Sequence, residues 1–237
     1  MAELTISAPQ DGVALVELNR PPANLWSIEL CRRFIAALER PAAGAHILRL
    51  RSGGDVFCLG RDREGSSPDE LRAEAEVLVG LHRALRNTSL VTVAEVQGDA
   101  AGFGVGILAC CDVTVATADA GFSFPEVTID LAPSVVLTWL ARVVGERQAF
   151  WLTATGERIT AARALELGLL NAVVPSTEAL RTDVDERIAL LRTHKPRVHS
   201  EIRDMLRVMG AVDTDRALDI SVDRLVVGSL RRSSGAQ

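Results

Sequence analysis

The sequence predicts an α/β fold that ends in a helical region. Segments with the alternating apolar residues of strands and segments with the apolar spacing of helices follow one another over the first two-thirds of the chain. A glycine-rich loop separates one such strand, at 91–97, from the apolar helix that follows it. The last quarter shows helical spacing alone. We therefore expect a core of strands and helices in residues 1–175 and a helical region in residues 176–237.

Turn and capping signals place the first elements. The strand-like segments 4–7 and 13–18 are joined by the turn sequence Pro-Gln-Asp-Gly, which predicts an opening hairpin. Ser27 is a suitable N-cap for a helix that runs to about Leu38, because apolar residues follow it at helical spacing. Residues 47–51 then alternate between apolar and charged side chains, as a strand does.

Three start signals together predict a second helix. Ser67 is an N-cap residue, Pro68 stands at the first helical position, and Glu70 completes a capping box. This helix should run to about Arg86. The remaining predicted elements are a helix from Pro133, a helix from Thr160 that Gly168 closes, a strand at 172–175, and helices from Thr177 to about Val227.

Composition argues against several functional classes. The net charge of −5, with no basic run before Arg231-Arg232, makes nucleic acid a poor candidate partner. The apolar segment 100–111 is too short to cross a hydrocarbon layer of roughly 30 Å, so we expect no membrane partner. The N-terminus lacks the basic start and the long apolar stretch of a secretory signal, which favours a cytoplasmic protein.

The cysteines support neither a disulfide framework nor a zinc site. None of the four has the C-x-x-C spacing of a metal ligand pair, and the two adjacent ones cannot form an ordinary disulfide. We therefore expect reduced, mostly buried thiols and no metal. The four residues are Cys31, Cys58, Cys110 and Cys111.

The segment 91–133 is the one around which the chain is organised. An apolar, β-branched strand ends at Gln97, and small residues from Gly98 to Gly106 lead into an apolar helix. Glycine allows the main chain to approach a ligand closely. Main-chain N–H groups at the start of a helix have no partner within the helix, so they are free to hold negative charge.

Several motifs, in order, resemble those of the crotonase superfamily, the enoyl-CoA hydratase and isomerase family. The resemblance extends from about Leu4 to about Arg207. It implies a ClpP/crotonase-like spiral of ββα units with a helical C-terminal trimerisation region, and a homotrimer or hexamer. It also implies an acyl-CoA thioester as the partner, with coenzyme A as part of the substrate and no other cofactor. The motifs are Pro-Pro-Ala-Asn at 21–24, Phe-Cys-Leu-Gly-Arg-Asp at 57–62, Gln-Gly at 97–98 with the glycines up to 106, Cys-Asp at 111–112, Phe-Ser-Phe-Pro-Glu at 122–126, and the segment 159–175.

The resemblance implies three catalytic positions. The main-chain N–H groups of Leu59 and Phe103 would form an oxyanion hole for the thioester oxygen, where each donor is worth about 2.7–4 kcal/mol. Phe103 stands where the family usually has glycine. Glu126, which follows Pro125, would be the base, and an apolar pocket would raise the pKa of its carboxyl.

The same resemblance implies a set of substrate-binding residues around these positions. Trp26 is a candidate to lie against the adenine of coenzyme A, and apolar packing is the equal alternative. Asp62 either fixes the first oxyanion loop through main-chain N–H groups or is exposed. The full set is Asn24, Leu25, Trp26, Cys58, Gly60, Asp62, Gly102, Gly104 and Pro125.

Gly106 decides between reactions within the family. Hydratases carry a second glutamate there, whereas isomerases that move a double bond from position 3 to position 2 need one carboxylate. The chain resembles the mitochondrial-type Δ3,Δ2-enoyl-CoA isomerases most closely. The open alternatives are a hydratase using Glu126 alone, an acyl-CoA decarboxylase, and a non-catalytic acyl-CoA-binding relative. Asp130 is either a second acid in the pocket or an exposed or helix-capping residue, and we favour the latter.

Overall fold

The structure, a computed structural model, describes residues 2–233. It contains two compact units, one ending at Ile188 and the other beginning at Ala189. The strands are β1 (Leu4–Ile6), β2 (Val13–Leu18), β3 (Ile47–Ser52), β4 (Val91–Val96), β5 (Ala100–Ala101), β6 (Val113–Thr117), β7 (Gly121–Ser123), β8 (Ile159–Thr160) and β9 (Ala172–Val174). The helices are α1 (Ile28–Glu39), α2 (Pro68–Asn87), α3 (Phe103–Ala109), α4 (Ser134–Val144), α5 (Glu146–Thr155), α6 (Ala161–Glu166), α7 (Thr177–Arg192), α8 (Pro196–Met209) and α9 (Thr214–Ser233), and a 3-10 helix spans Pro125–Ile129.

The main sheet of the first unit has six strands in the order β1-β2-β3-β4-β6-β9. The β1–β2 pair is the antiparallel hairpin that the sequence predicts, and the other neighbours are parallel. Every residue of β4 is buried, as expected for a strand covered on both faces. The core packs the strand side chains against α1 and α2 through large residues such as Phe34, Leu50 and Leu85.

Capping residues begin α1 and α2 where the sequence predicts. The Ser27 hydroxyl accepts a hydrogen bond from the Leu30 N–H at 3.2 Å. Ser67 and Glu70 form the complete capping box at the start of α2. These bonds satisfy N–H groups that the first helical turn leaves without partners.

A second, three-stranded sheet positions the functional region. β5 pairs in parallel with β7, and β7 pairs antiparallel with β8. The glycine loop and α3 follow β5, and the 3-10 helix follows β7. Because parallel strands end at the same edge, α3 and the 3-10 helix begin side by side.

From Thr177 to residue 233 the structure has three helices, separated by breaks at Lys195-Pro196 and at Gly210, which the proline and the glycine in the sequence indicate. Within the second unit, Glu201 of α8 accepts hydrogen bonds from Arg197 and from Arg231 of α9, both at 2.7 Å. The sequence did not predict the break at Gly145, which has φ +79° and separates α4 from α5. The predicted boundary at residue 175, between the core that would bind the substrate and the helical region, stays a prediction. No helix within residues 2–233 is long and apolar enough to cross a membrane.

Gly98 lies in a tight main-chain crossing, and its replacement tests the packing of the loop that leads to β5. A Cβ at this position would overlap the carbonyl oxygen of Asp55, which is main chain and cannot rotate away. We expect Gly98→Ala to lower the free energy of unfolding by at least about 3 kcal/mol in urea titrations.

Gly80→Ala is the matched control. A Cβ at Gly80, in α2, would lie 3.5 Å from Ile35 Cδ1, an ordinary contact. Alanine is the better helix former, so this variant should gain about 0.5–1 kcal/mol of stability. Equal stabilities of the two variants would contradict the described crossing.

Candidate active site

A cavity of about 510 Å³ opens where α2, α3, α4 and the 3-10 helix meet the loop after β3. Most of its wall is apolar, and the ionisable side chains on it are Arg61, Arg63 and Glu126. The lining residues are Leu59, Gly60, Arg61, Arg63, Ala75, Leu78, Gly102, Phe103, Pro125, Glu126, Thr128, Ile129 and the segment Leu131, Ala132, Pro133, Ser134, Val135 and Val136.

The β5–β7 pairing sets Glu126 against Gly102. The Gly102 N–H donates to the Ser123 carbonyl at 2.9 Å, which continues the pairing one residue beyond β5. Gly102 has φ +50°, a conformation that favours glycine. A Cβ on it would lie 2.5 Å from Glu126 Oε1. The carboxylate therefore packs directly on the main chain, one residue before Phe103.

Burial raises the pKa of the Glu126 carboxyl, as the sequence predicts. A hydrogen bond from its own main-chain N–H and the charges of Arg63 and Arg61 act in the opposite direction. The Oε2 atom is buried and has no hydrogen-bond partner among the described residues. The side chain is half-buried, so the carboxylate stands at the boundary between core and cavity.

The two predicted oxyanion donors differ in the structure. Phe103 is the first residue of α3, and its N–H has no main-chain acceptor within residues 2–233. The Leu59 N–H donates to the Ala23 carbonyl at 2.9 Å. The prediction that Leu59 offers a free donor is therefore wrong.

Arg61 provides the free N–H on this loop instead. Gly60 and Asp62 bond to Trp26 on one side, through Trp26 N–H to Gly60 O at 3.1 Å and Asp62 N–H to Trp26 O at 2.9 Å. In such an extended segment, the residue between turns its own N–H to the opposite side. The Arg61 N–H has no acceptor in the described part of the chain, and Arg61 lines the cavity.

Asn24 is a structural residue, contrary to the prediction that it binds substrate, and Trp26 takes the packing role that was the equal alternative to an adenine contact. Asn24 is buried, and its amide donates to Gly53 O at 2.7 Å and Val56 O at 2.8 Å. Trp26 is 1% exposed and stacks on Phe34 with ring centroids 5.4 Å apart, so it is not available to an adenine ring. The Asn24 side chain thus fixes the residues just before the 57–62 loop, and the main chain of Trp26 bonds to the loop itself.

The other predicted binding residues form two groups, those that line the cavity and those that support the lining residues from behind. Gly60, Gly102 and Pro125 line the cavity, whereas Leu25, Cys58, Asp62 and Gly104 do not. The first group can therefore contact a ligand directly.

The support residues act through the loop. Asp62 accepts a hydrogen bond from the Arg20 guanidinium at 2.7 Å, which is neither of the two predicted roles. Cys58 is fully buried, and burial raises the pKa of its thiol to about 12. Gly104 is glycine because a Cβ there would meet the Cys58 carbonyl.

Several residues at the site were not predicted. Arg63 and Thr128 line the cavity, and His82 lies behind Phe103. Asp130 is exposed, has φ +57° and ends the 3-10 helix, in agreement with the helix-capping alternative.

Across the described residues, no group of three His, Cys, Asp or Glu side chains is arranged to hold a metal ion.

Comparisons with known proteins agree with this architecture. The family model described as enoyl-CoA hydratase/isomerase matches residues 8–220. A probable enoyl-CoA hydratase of Rhodobacter capsulatus is 31% identical over 173 residues, which are 71% of this chain and 67% of that protein. The enoyl-CoA isomerase/hydratase claC of Penicillium crustosum is 32% identical over 71% of this chain, but the match spans only 21% of that longer protein.

A solved structure confirms the fold that the resemblance implies. The crystal structure of an enoyl-CoA hydratase from Mycobacterium smegmatis superimposes with a TM-score of 0.91. The match covers 96% of this chain and 91% of that one, at 24% identity. The crotonase fold is therefore found where the sequence predicts it.

Proposed function

Because the chain belongs to the enoyl-CoA hydratase/isomerase family, we propose that it binds an enoyl-CoA thioester and moves the double bond of the acyl chain from position 3 to position 2. One observation carries this proposal. A carboxylate whose pKa is raised by burial packs on Gly102, beside the free N–H of Phe103, at the wall of one cavity. A base and an oxyanion donor thus face the same ligand.

The reaction follows from this arrangement. The Glu126 carboxylate takes a proton from C2 of the 3-enoyl thioester, and the electron pair spreads over the dienolate onto the thioester oxygen. The N–H groups of Phe103 and Arg61 hold that oxygen, each donor lowering the barrier by about 2.7–4 kcal/mol. The protonated Glu126 then returns its proton to C4, which gives the conjugated 2-enoyl thioester and restores the carboxylate.

The composition of the wall favours isomerisation over hydration. Among the described lining residues, Glu126 is the one carboxylate, and Gly106 of α3 has no side chain to add another. A single carboxylate suffices to carry one proton from C2 to C4. Addition of water by Glu126 alone is the second candidate, and the names of relatives such as the Rhodobacter hydratase support it.

Coenzyme A enters this proposal as part of the substrate, without a separate cofactor. We also propose a homotrimer or hexamer. Exposed apolar side chains on α9 support such an assembly, because apolar surface of this kind is usually covered by a partner. These residues are Leu218, Val222, Leu225 and Leu230.

Glu126→Gln tests the proposed base. The amide cannot accept the C2 proton, so the rate of conjugation of a 3-enoyl-CoA, followed by thioester absorbance, should fall by at least about 10³-fold. In the unmodified protein, kcat should fall as the pH drops through the raised pKa of Glu126, above the usual range of a glutamate, because the ionised form is the base.

Glu76→Gln is the matched control for this variant. Glu76 is an exposed residue of α2, and its carboxylate lies 4.0 Å from Arg72. Because Glu76 does not line the cavity, the Glu76→Gln variant should be as active as the unmodified protein. Conversion of a 2-enoyl-CoA to a hydroxyacyl-CoA, with no conjugation of the 3-enoyl substrate, would contradict the isomerase proposal.

Replacing single amides by esters tests the donor assignment. Phenyllactic acid at position 103 keeps the ring and removes the N–H, so kcat should fall by about 10²–10³-fold. Leucic acid at position 59 removes an N–H that serves Ala23, so it should cost about 1 kcal/mol of stability and less than about tenfold in kcat. Equal losses of kcat at both positions would restore Leu59 as a donor.

A further inference from the structure

His82 is a buried polar side chain behind Phe103, which lines the cavity. It comes from α2 and is 8% exposed. Its ring meets Phe103 edge to face with centroids 5.3 Å apart, and it stacks on Trp139 at 6.3 Å. The imidazole therefore supports the residue whose N–H we propose as an oxyanion donor.

The hydrogen bonding of His82 defines its protonation. Nδ1 lies 3.0 Å from the Leu78 carbonyl, and because a carbonyl only accepts, Nδ1 carries the proton. Burial lowers the pKa of the imidazole, so the ring is neutral at pH 7. Nε2 is thus an unprotonated acceptor, and it is buried without a donor among the described residues. Buried polar atoms without a hydrogen-bond partner are uncommon in folded proteins.

Nε2 lies over Gly106. A Cβ built on Gly106 would be 3.0 Å from His82 Nε2 and 3.5 Å from Val136 Cγ2. Gly106 follows Phe103 by three residues in α3, so a side chain there would grow beside Phe103, toward the cavity wall that Phe103 and Val136 share. The first atom of that side chain already requires the imidazole to move.

We propose that His82 is a specificity-determining residue, whose ring fills the space beside Gly106 in which a second acid–base side chain would stand. Glu126 then remains the one group that moves protons. This inference rests on the proposed function. Water addition to a conjugated thioester is faster with two groups, because one can take a proton from water while the other delivers a proton to carbon. While His82 is in place, a second such group cannot be added at position 106 alone.

A double-mutant cycle of His82→Ala and Gly106→Glu tests the proposal. Gly106→Glu alone should lower the melting temperature and weaken binding of a saturated acyl-CoA. The double variant should recover both, and it alone should hydrate a 2-enoyl-CoA, at least about tenfold faster than either single variant. Two results would overturn the proposal. One is that the effects of the two substitutions on melting temperature and binding simply add. The other is that Gly106→Glu alone hydrates the substrate as fast as the double variant.

A second double-mutant cycle uses a smaller substitution, so that the test does not depend on the folding of Gly106→Glu. Gly106→Ala adds only the Cβ, so it should lower the melting temperature when His82 is present and lower it less in the His82→Ala background. An equal loss in both backgrounds would also overturn the proposal. These melting and binding readouts do not require catalysis, so failure of the isomerase assay alone would affect only the proposed function.

Two control backgrounds separate the ring from other effects. His82→Phe keeps a ring over Gly106 and removes Nε2, so Gly106→Glu should remain impaired in it. Leu85→Ala opens space one turn along α2, away from the contacts of Gly106, and should not rescue Gly106→Glu. Rescue by Leu85→Ala equal to that by His82→Ala would mean that general loosening, not the ring, is responsible.

Discussion

The parallel pairing of β5 with β7 is the constraint on which the site depends. Ala100 faces Phe122 and Ala101 faces Ser123, and the Gly102 N–H extends the pairing to the Ser123 carbonyl. β5 leads through Gly102 into α3, whose first N–H, that of Phe103, is free. β7 leads into the 3-10 helix that carries the Glu126 carboxylate. Main-chain hydrogen bonds therefore fix the distance between the Phe103 N–H and the main chain that carries the Glu126 side chain.

Loop 57–62, which carries the Arg61 N–H, is bonded to the same strands. The N–H groups of Phe57 and Cys58 both donate to the Asp99 carbonyl, and the Ala101 N–H donates to the Cys58 carbonyl at 2.8 Å. The Asp99 side chain in turn bonds the Gly121 N–H and Arg158, both at 2.7 Å. Loop 57–62, β5 and β7 are thus one hydrogen-bonded assembly. Next to these strands, a Cβ at Gly98 or Gly104 would strike a neighbouring main-chain carbonyl, and a Cβ at Gly102 would strike the Glu126 carboxylate.

The sequence was sufficient for the features with strong local signals. The hairpin, the capping box at Ser67 and the order of motifs predicted the fold, and Pro125-Glu126 predicted a carboxyl whose pKa is raised by burial. The donor on loop 57–62 was assigned to the wrong residue, because the direction of each N–H depends on which side of the segment pairs with Trp26. Periodicity alone does not reveal strands of two or three residues, and β5 and β7 were not predicted.

Buried side chains were the other source of error. A tryptophan or an asparagine in a loop reads equally well as a ligand contact or as packing, and only the tertiary contacts of Trp26 and Asn24 decide for packing. His82 had no partner spacing in the sequence, since its neighbours Phe103 and Trp139 come from other helices. Its Nε2 atom also lies over Gly106, the position at which we propose that the ring excludes a second acid–base side chain.

The central claim is that Glu126 removes a proton from C2 of a bound thioester. The most direct measurement is deuterium incorporation at C2 of a saturated acyl-CoA in D₂O, followed by NMR, since it isolates the first proton transfer from any later step. The account predicts exchange well above the protein-free background, and loss of at least about 10²-fold with Glu126→Gln. Exchange at the background rate, or undiminished exchange in the variant, would contradict it.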